Sequence, residues 1–484
     1  MRKILYVAAE AVPFVKTGGL ADVAGSLPIA LAAEGADVRV VLPEYKEIKE
    51  KYGTELEHIY HGELELAWRH KYIGIDRLQQ NGVTWYFIDN NDYFFRDYLY
   101  GYSDDAERFA YFCRAVLELL PEIDFWPDII HTNDWHCALI NMLLRVSNYS
   151  DKRYGAIRTV LTVHNMRYQG LFGREIVEDV LGISGSFFDN GDLEFYGAVN
   201  FLKGGLNYAD YITTVSRTYA EEIKQSYFGE GLDGLIRERQ DVLTGIVNGI
   251  DYSLYNPEID KAITKKYSVD SFSAKKDNLS SLQKELGLPI ERTIPMVALV
   301  SRLTEQKGID LIVRIMEELL QQEKMQFVVV GSGEKEYEHW FQELEMHFPD
   351  NVSVNIGFSH ELAQRVYASA SMLLMPSRYE PCGISQLIAM RYGTIPIVRD
   401  TGGLSDTVQP FDEATLKGTG FVFKNYNAHE LMFAVKKALA CFHFEEGRIW
   451  NNIVKNAMSS DSGWNKPVAE YIDLYERIIK SFSK

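Results

Sequence analysis

Cysteine is scarce. The 484-residue chain holds four, Cys113, Cys137, Cys382 and Cys441, far apart and in no CxxC pair. That spacing argues against a disulfide framework or a thiolate zinc site and fits a reducing compartment. No apolar run approaches the ~20 residues that span a bilayer. The basic start Met1-Arg-Lys and the ILYVAA run behind it have the outline of a secretory signal. Glu10 and Lys16 interrupt the run before an apolar core of normal length can form. A cytosolic protein is expected. Positive charge is also short, with 50 Lys and Arg against 68 Asp and Glu and a net charge of -18. Such a surface repels phosphate backbones and anionic lipid heads, which disfavours nucleic-acid and membrane partners. A phosphate-bearing ligand would then need a local concentration of positive charge. Short-period repeats and low-complexity segments are missing too.

What remains reads as ordinary globular protein. Apolar residues at 46% and charged residues at 24% are near the average, so disorder is not the dominant state. The length suggests two or three domains, each large enough to fold without disulfides or metals. Residues 4–9 form an apolar run of strand length, residues 16–19 (KTGG) a glycine loop, residues 21–34 a helix-forming stretch and residues 37–42 the next strand. Further strand-like runs fall at 84–89, 128–131, 159–163 and 211–215, with a helical pattern at 107–120. Such βαβ units imply a parallel sheet with ligands beyond the carboxyl ends of its strands. Asn248-Gly-Ile-Asp251 is a turn signal and a candidate hinge. The alternation then restarts, with strands expected at 296–300, 327–330, 372–375 and 395–398 and helices at 311–321 and from Ser385. Two doubly wound α/β domains facing a central cleft are the simplest architecture.

The polar residues that could carry chemistry gather at strand ends. Arg302 and Lys307 follow one apolar strand and precede a helix. A guanidinium fork and a compact ammonium there suit a diphosphate, and could neutralise one as it leaves. The same two residues could equally be solvated surface cations. Glu380, Cys382, Gly383 and Ser385 lie in a second strand–helix loop, where backbone N–H groups at a helix start attract anions. Glu380 could meet sugar hydroxyls or simply complement the helix dipole. Lys16, Gly18 and Gly19 form a glycine loop that is not GxGxxG and is weak alone. Its two glycines would let a phosphate or sugar approach. His164 and Asn165 end another strand, as does the cluster His131, Asp134 and His136, whose spacing matches no zinc template. No metal site is expected. The aromatics of 93–95 and 98–102 suit stacking on sugar rings, although core filling accounts for most aromatic residues.

In order along the chain, KTGGLADV (16–23), VSRLTEQKG (300–308), PSRYEPCGISQ (376–386) and DTGGLSDTV (400–408) resemble the signatures of bacterial glycogen synthases and plant starch synthases. The resemblance covers nearly the whole chain. It implies the glycosyltransferase B fold, with two Rossmann-like domains. The first, 1–247, would lie on the acceptor side; the second, 248–460, would bind the donor; a helical segment, 461–484, would cross back to the first. It also implies transfer of glucose from ADP-glucose to the non-reducing end of an α-1,4-glucan such as glycogen, with retention and without a cofactor. Arg302 and Lys307 would hold the diphosphate, with Glu380 and the amides near Cys382 and Gly383 on the donor sugar. His164, Asn165 and Asp134 would lie near the transferred glucose. Lys16, Gly18, Gly19, Asn248 and Ser385 would complete the substrate contacts.

Two departures stand out. Relatives carry His-Ala-His-Asp-Trp where this chain has His131-Thr-Asn133-Asp134-Trp135, so no role for a histidine at 133 transfers. The second Glu that many retaining transferases carry eight residues after the first is Ile388 here, which points toward the synthases. Glucan phosphorylases, which need a pyridoxal phosphate lysine, and a non-catalytic nucleotide-sugar sensor are the rival readings. Physical reasoning leaves ADP-glucose against UDP-glucose, and the oligomeric state, open.

Overall fold

The computed structural model describes residues 2–481 except positions 148 and 358. The chain divides into two compact units, Met1–Asn248 with Trp464–Lys484, and Gly249–Gly463. Residues 461–463 belong with the second unit for a local reason. Ile250 N donates to Ser462 O at 2.8 Å, and the Tyr252 hydroxyl donates to Asp461 Oδ1 at 3.1 Å.

Among the described residues, twelve strands build the first unit. They are β1 Lys3–Val7, β2 Asp37–Pro43, β3 Glu57–Leu66, β4 Arg69–Gln80, β5 Val83–Asp89, β6 Ile129–Asn133, β7 Arg158–Val163, β8 Leu171–Phe172, β9 Glu194–Phe195, β10 Ala198–Asn200, β11 Tyr211–Thr214 and β12 Leu243–Gly245. The main sheet has the order β12-β11-β7-β6-β1-β2-β5-β4-β3. All its pairings are parallel except β4 with β5 and β3 with β4. The parallel strands read as near-continuous apolar runs because helices cover both faces. The β3–β4 hairpin escapes the sequence reading. EHIYHGELEL and RHKYIGIDRLQQ scatter charges along an outer edge, so no clean apolar period marks them. The short strands β8 to β10 form a separate antiparallel sheet.

The second unit carries β13 Met296–Val300, β14 Gln326–Gly331, β15 Val352–Ile356, β16 Met372–Met375, β17 Ile395–Arg399 and β18 Phe421–Phe423. They form a fully parallel sheet in the order β15-β14-β13-β16-β17-β18. The helix Ile309–Gln322 buries Ile312, Ile315, Met316 and Leu319, one stripe at helical spacing. Burying each such side chain contributes about 1.5–3 kcal/mol.

Strand order locates the ligand edge of each unit. In the first, β1, β2 and β5 run outward one way and β6, β7, β11 and β12 the other, so the direction of winding reverses between β1 and β6. In the second the reversal lies between β13 and β16. Crevices beyond the carboxyl ends at such reversals are where doubly wound sheets bind ligands. The candidate residues fall in the loops that leave these strands: Lys16 after β1, Asp134 after β6, His164 after β7, Arg302 and Lys307 after β13, and Glu380 after β16.

The C-terminal helix Asn465–Ser481 packs on the first unit. Its Tyr475 hydroxyl lies 2.7 Å from His131 Nδ1, and Arg217 pairs with Glu470 at 2.8 Å. Among the described residues no helix is long and apolar enough to cross a membrane.

Candidate active site

In the first unit Asp134 opens the helix Asp134–Val146, directly after β6. Its φ is 55°, a left-handed conformation that costs a non-glycine residue about 1 kcal/mol or more. The strain has a visible use. It turns Oδ1 toward the β7 loop, where it accepts the His164 amide at 2.7 Å. The Asn165 amide also donates to this carboxylate. Asp134 thereby holds the two residues after β7 in place. Burial pushes its pKa up to about 7, against the pull of those amides, and the charge of Glu10 adds a smaller upward push.

His164 is half-buried, and its Nε2 lies 2.9 Å from Asn133 Oδ1. Withdrawal from solvent drives its pKa down to about 3, so the ring is neutral across the physiological range. Asn165 Oδ1 accepts the Arg167 amide at 3.0 Å, which shapes the loop. His131 and His136 do not join this group. His131 is buried between Tyr475 and Thr162, and His136 stacks among Trp135, Tyr100 and Phe109.

The loop after β1 holds Lys16, Gly18 and Gly19, and Gly19 starts the helix Gly19–Ala33. Lys16 Nζ pairs with Asp22 Oδ1 at 2.7 Å and is partly open to solvent. A Cβ on Gly18 would meet only Glu10 Oε1, at 3.8 Å, so the protein's own packing does not require glycine there. The room left is open to a ligand. Beneath the loop lies Glu10, buried, with Oε2 accepting from the Thr17 amide at 2.5 Å and the Thr17 hydroxyl at 2.7 Å. Desolvation raises its pKa from 4.5 to about 7. Asn248 ends the unit, buried, and its Oδ1 has no hydrogen-bond partner among the described residues.

Glu10 carries a testable consequence. A carboxyl with a higher pKa folded than unfolded binds more protons in the native state. Its contribution is complete below about 4.5 and is lost as pH rises through about 7. The gap between about 4.5 and about 7 corresponds to about 3 kcal/mol. Glu10→Gln should therefore flatten the fall in stability between pH 5 and pH 8, measured by urea unfolding. Equal pH slopes in wild type and variant would refute the assignment.

In the second unit two loops are laced together. The Arg378 amide donates to Gln306 O at 2.9 Å, and Arg378 pairs with Glu305 at 2.7 Å. Gly308 makes the closeness possible. Its φ is 72°, and a Cβ there would lie 2.1 Å from the Pro376 carbonyl oxygen. The result is a direct ion pair between two candidate residues, Lys307 Nζ to Glu380 Oε2 at 2.6 Å. Only 17% of the Lys307 side chain and 7% of the Glu380 side chain reach solvent. Ser377 Oγ donates to the same carboxylate oxygen at 3.0 Å. Arg302, on the same loop as Lys307, is exposed.

Behind Glu380, the Gly403 amide of DTGG donates to its carbonyl at 3.0 Å. Cys382 is buried, and Ser385 opens the seven-residue helix Ser385–Arg391. Gln386 folds back, its Nε2 donating at 3.0 Å to the carbonyls of both Cys382 and Gly383. This fixes the backbone whose amides the sequence marks for a ligand.

The structure thus forms two groups. Asp134, His164 and Asn165 converge in the first unit, with Lys16, Gly18 and Gly19 on the loop above Glu10. Lys307, Glu380, Cys382, Gly383 and Ser385 converge in the second, with Arg302 beside them. Asn133, Glu10, Ser377 and Gln386 touch the candidate residues or the loops that carry them and were not marked by the sequence as site residues. Glu10 was legible only as a charge inside an apolar run, which is itself a signal of a buried site. The aromatic stretch splits, with Tyr93 and Phe94 buried in the core and Phe95 and Tyr98 exposed.

The fold and these loops define a protein of two nucleotide-binding-type α/β units, with a buried cation–carboxylate pair at the ligand edge of one. A family profile described as starch synthase catalytic domain matches residues 3–238, and one described as glycosyl transferases group 1 matches residues 287–453. A glycogen synthase of Anoxybacillus flavithermus is 50% identical over 477 residues, covering 99% of this chain and 98% of that one. A glycogen synthase of Desulforamulus reducens is 48% identical, with 99% of each chain covered. Among solved structures, the catalytic domain of starch synthase IV from Arabidopsis thaliana, bound to ADP and acarbose, superposes with a TM-score of 0.92 at 31% identity, covering 99% of each chain. A sucrose-phosphate synthase from Thermosynechococcus elongatus shares the fold at 17% identity and a TM-score of 0.64. The chain belongs to the glycogen synthase and starch synthase family of glycosyltransferases, with the glycosyltransferase B fold.

Proposed function

We propose that this chain transfers glucose from ADP-glucose to the non-reducing end of an α-1,4-glucan, with retention of configuration and release of ADP. The observation that carries the reading is the Lys307–Glu380 pair, held at the winding reversal of the second unit. A lysine kept there by a carboxylate is a preorganised cation for a diphosphate, and the carboxylate can accept from sugar hydroxyls. The ADP and acarbose bound to the related starch synthase support the choice of ligands.

Under this reading Arg302 and Lys307 hold the diphosphate, and Glu380, Ser385 and the amides at Cys382 and Gly383 hold the donor sugar. Lys16, with Gly18 and Gly19, meets donor phosphate or sugar. His164 and Asn165, held by Asp134, flank the transferred glucose, and Asn248 offers its unpartnered amide oxygen. No paired-carboxylate motif supplies a nucleophile for double displacement. Front-face substitution fits better. The glucose C1–oxygen bond to the diphosphate breaks while the acceptor hydroxyl oxygen bonds to C1 on the same face. The hydroxyl proton passes to the departing diphosphate oxygen. No cofactor or metal enters these steps.

Nucleoside diphosphate release from ADP-glucose and UDP-glucose, with and without glycogen, tests the proposal. ADP release that depends on glycogen, and clearly exceeds UDP release, is expected. Glycogen-independent release, or none, would overturn it. Intact-mass measurement during turnover should show no glucosyl adduct, and a persistent adduct would replace front-face substitution with double displacement.

A further inference from the structure

Asn133 stands where the family resemblance places a histidine, and it is completely buried. Strand register explains its surroundings. Tyr6 pairs with His131 across β1 and β6, and Asn133 pairs with Thr162 across β6 and β7. Side chains alternate along each strand, so Tyr6, His131, Asn133 and Thr162 share one face, and His164, just past the end of β7, comes within hydrogen-bond distance of Asn133.

Every polar atom of the Asn133 amide is used. Nδ2 donates to the Val7 carbonyl at 2.9 Å, which determines which end of the amide is oxygen. Oδ1 then accepts from the Tyr6 hydroxyl at 3.0 Å and from His164 Nε2 at 2.9 Å. A carbonyl oxygen can only accept, so the proton of the neutral His164 ring is on Nε2. Its Nδ1 makes no hydrogen bond among the described residues. The titratable groups facing the ring are Asp134, which takes its backbone amide, and His131, itself neutral with a pKa near 3.

We propose that Asn133 is a positioning residue that locks His164 in the Nε2–H tautomer, so that Nδ1 is presented as a hydrogen-bond acceptor to a sugar hydroxyl. The second half of this statement rests on the proposed function, and the first does not. An amide does this without titrating. A histidine or a carboxylate at 133 would tie the orientation of His164 to pH.

The test uses the full-length chain with nitrogen-15 histidine. Long-range nitrogen–proton spectra should show His164 protonated at Nε2 alone from pH 6 to 8. Asn133→Leu fills similar space without an amide. It should give a mixture of His164 tautomers and lower kcat about tenfold, the value of one aligned hydrogen bond. KM for ADP-glucose should stay within about twofold, since few ground-state contacts change. Asn133→Asp keeps an acceptor for Nε2 but raises the imidazole pKa. Its activity relative to wild type at the same pH should survive at pH 8 and fall at pH 6, where Nδ1 becomes a donor, so that the titration of Asp134 and Glu10 near 7 cancels from the comparison. A wild-type spectrum with Nδ1 protonated would overturn the proposal. So would a folded Asn133→Leu with unchanged kcat. If Asn133→Leu does not fold, an Asn133→Asp profile parallel to wild type would also overturn it. A wild type that releases no ADP from ADP-glucose would sink the proposed function and the sugar contact, and the spectrum would still decide the tautomer.

Discussion

Replacing Lys307 by alanine should lower kcat with ADP-glucose by about 10²- to 10³-fold, on the order of 3 kcal/mol of transition-state stabilisation, as for loss of one aligned oxyanion donor. The structure adds a complication that sharpens the test. Lys307 is the ionic partner of Glu380 at 2.6 Å, so the substitution also leaves a nearly buried carboxylate unpaired. Breaking a buried pair by removing one partner costs about 3–5 kcal/mol, and the partial exposure of Lys307 places this case at the low end. Low activity in Lys307→Ala alone could therefore reflect a disordered loop. The double variant Lys307→Met with Glu380→Gln separates the two. It removes both charges and keeps the volume, so stability should return to within about 1 kcal/mol of wild type. Turnover should not return, because neither the cation nor the carboxylate is there for the donor. Steady-state kinetics with thermal unfolding on the same samples checks this. Single-variant turnover within threefold of wild type would remove Lys307 from the diphosphate role, and recovery of turnover in the double variant would do the same.

Gly402→Ala should be among the most damaging single methyl additions in the second unit. Gly402 has a φ of 45°, and a Cβ there would lie 2.0 Å from the Glu380 carbonyl oxygen. The left-handed conformation costs alanine about 1–2 kcal/mol. The overlap is with backbone, which no rotamer change relieves, and adds about 1–3 kcal/mol. The neighbouring Gly403 amide holds that same carbonyl at 3.0 Å, so the strand-end loop has to shift as a unit. Glu380 then leaves Lys307 and Ser377, and activity falls with stability. Gly287→Ala is the control. Its φ is 73°, yet nothing lies within 4 Å of the added methyl, so it carries the conformational cost without the overlap. A melting temperature lower by roughly 5–15 °C and loss of most turnover are expected for Gly402→Ala. Gly287→Ala should lose a few degrees and keep its activity. Equal behaviour of the two would show that DTGG does not buttress Glu380.

How much could be read in advance differs between strands and sites. The strands β13 and β16 fall where their apolar runs begin and end, because a parallel strand covered on both faces is apolar throughout. The β3–β4 hairpin was invisible because an edge needs charge more than it needs periodicity. Among the candidate site residues, Arg302, Lys307, Glu380 and His164 stand out by chemical type at strand ends. Asn133 did not, since a buried asparagine has no sequence signature until its partners are known.

Two doubly wound units, the family and the candidate loops at strand ends were legible from the chain alone. Composition, the alternation of apolar runs with helical stretches, and ordered motifs are all local properties, and they survive without coordinates. Which residues meet depends on the packing of distant stretches. Lys307 and Glu380 lie 73 residues apart, and the pairing of β13 with β16 brings them into contact. Tyr6 and Asn133 come from two strands and His164 from the loop just past a third, and their shared network follows from the registers of β1, β6 and β7. Hydrogen bonds and ion pairs act over about 3 Å, so partners at that range depend on register and strand order, which no single stretch of chain encodes.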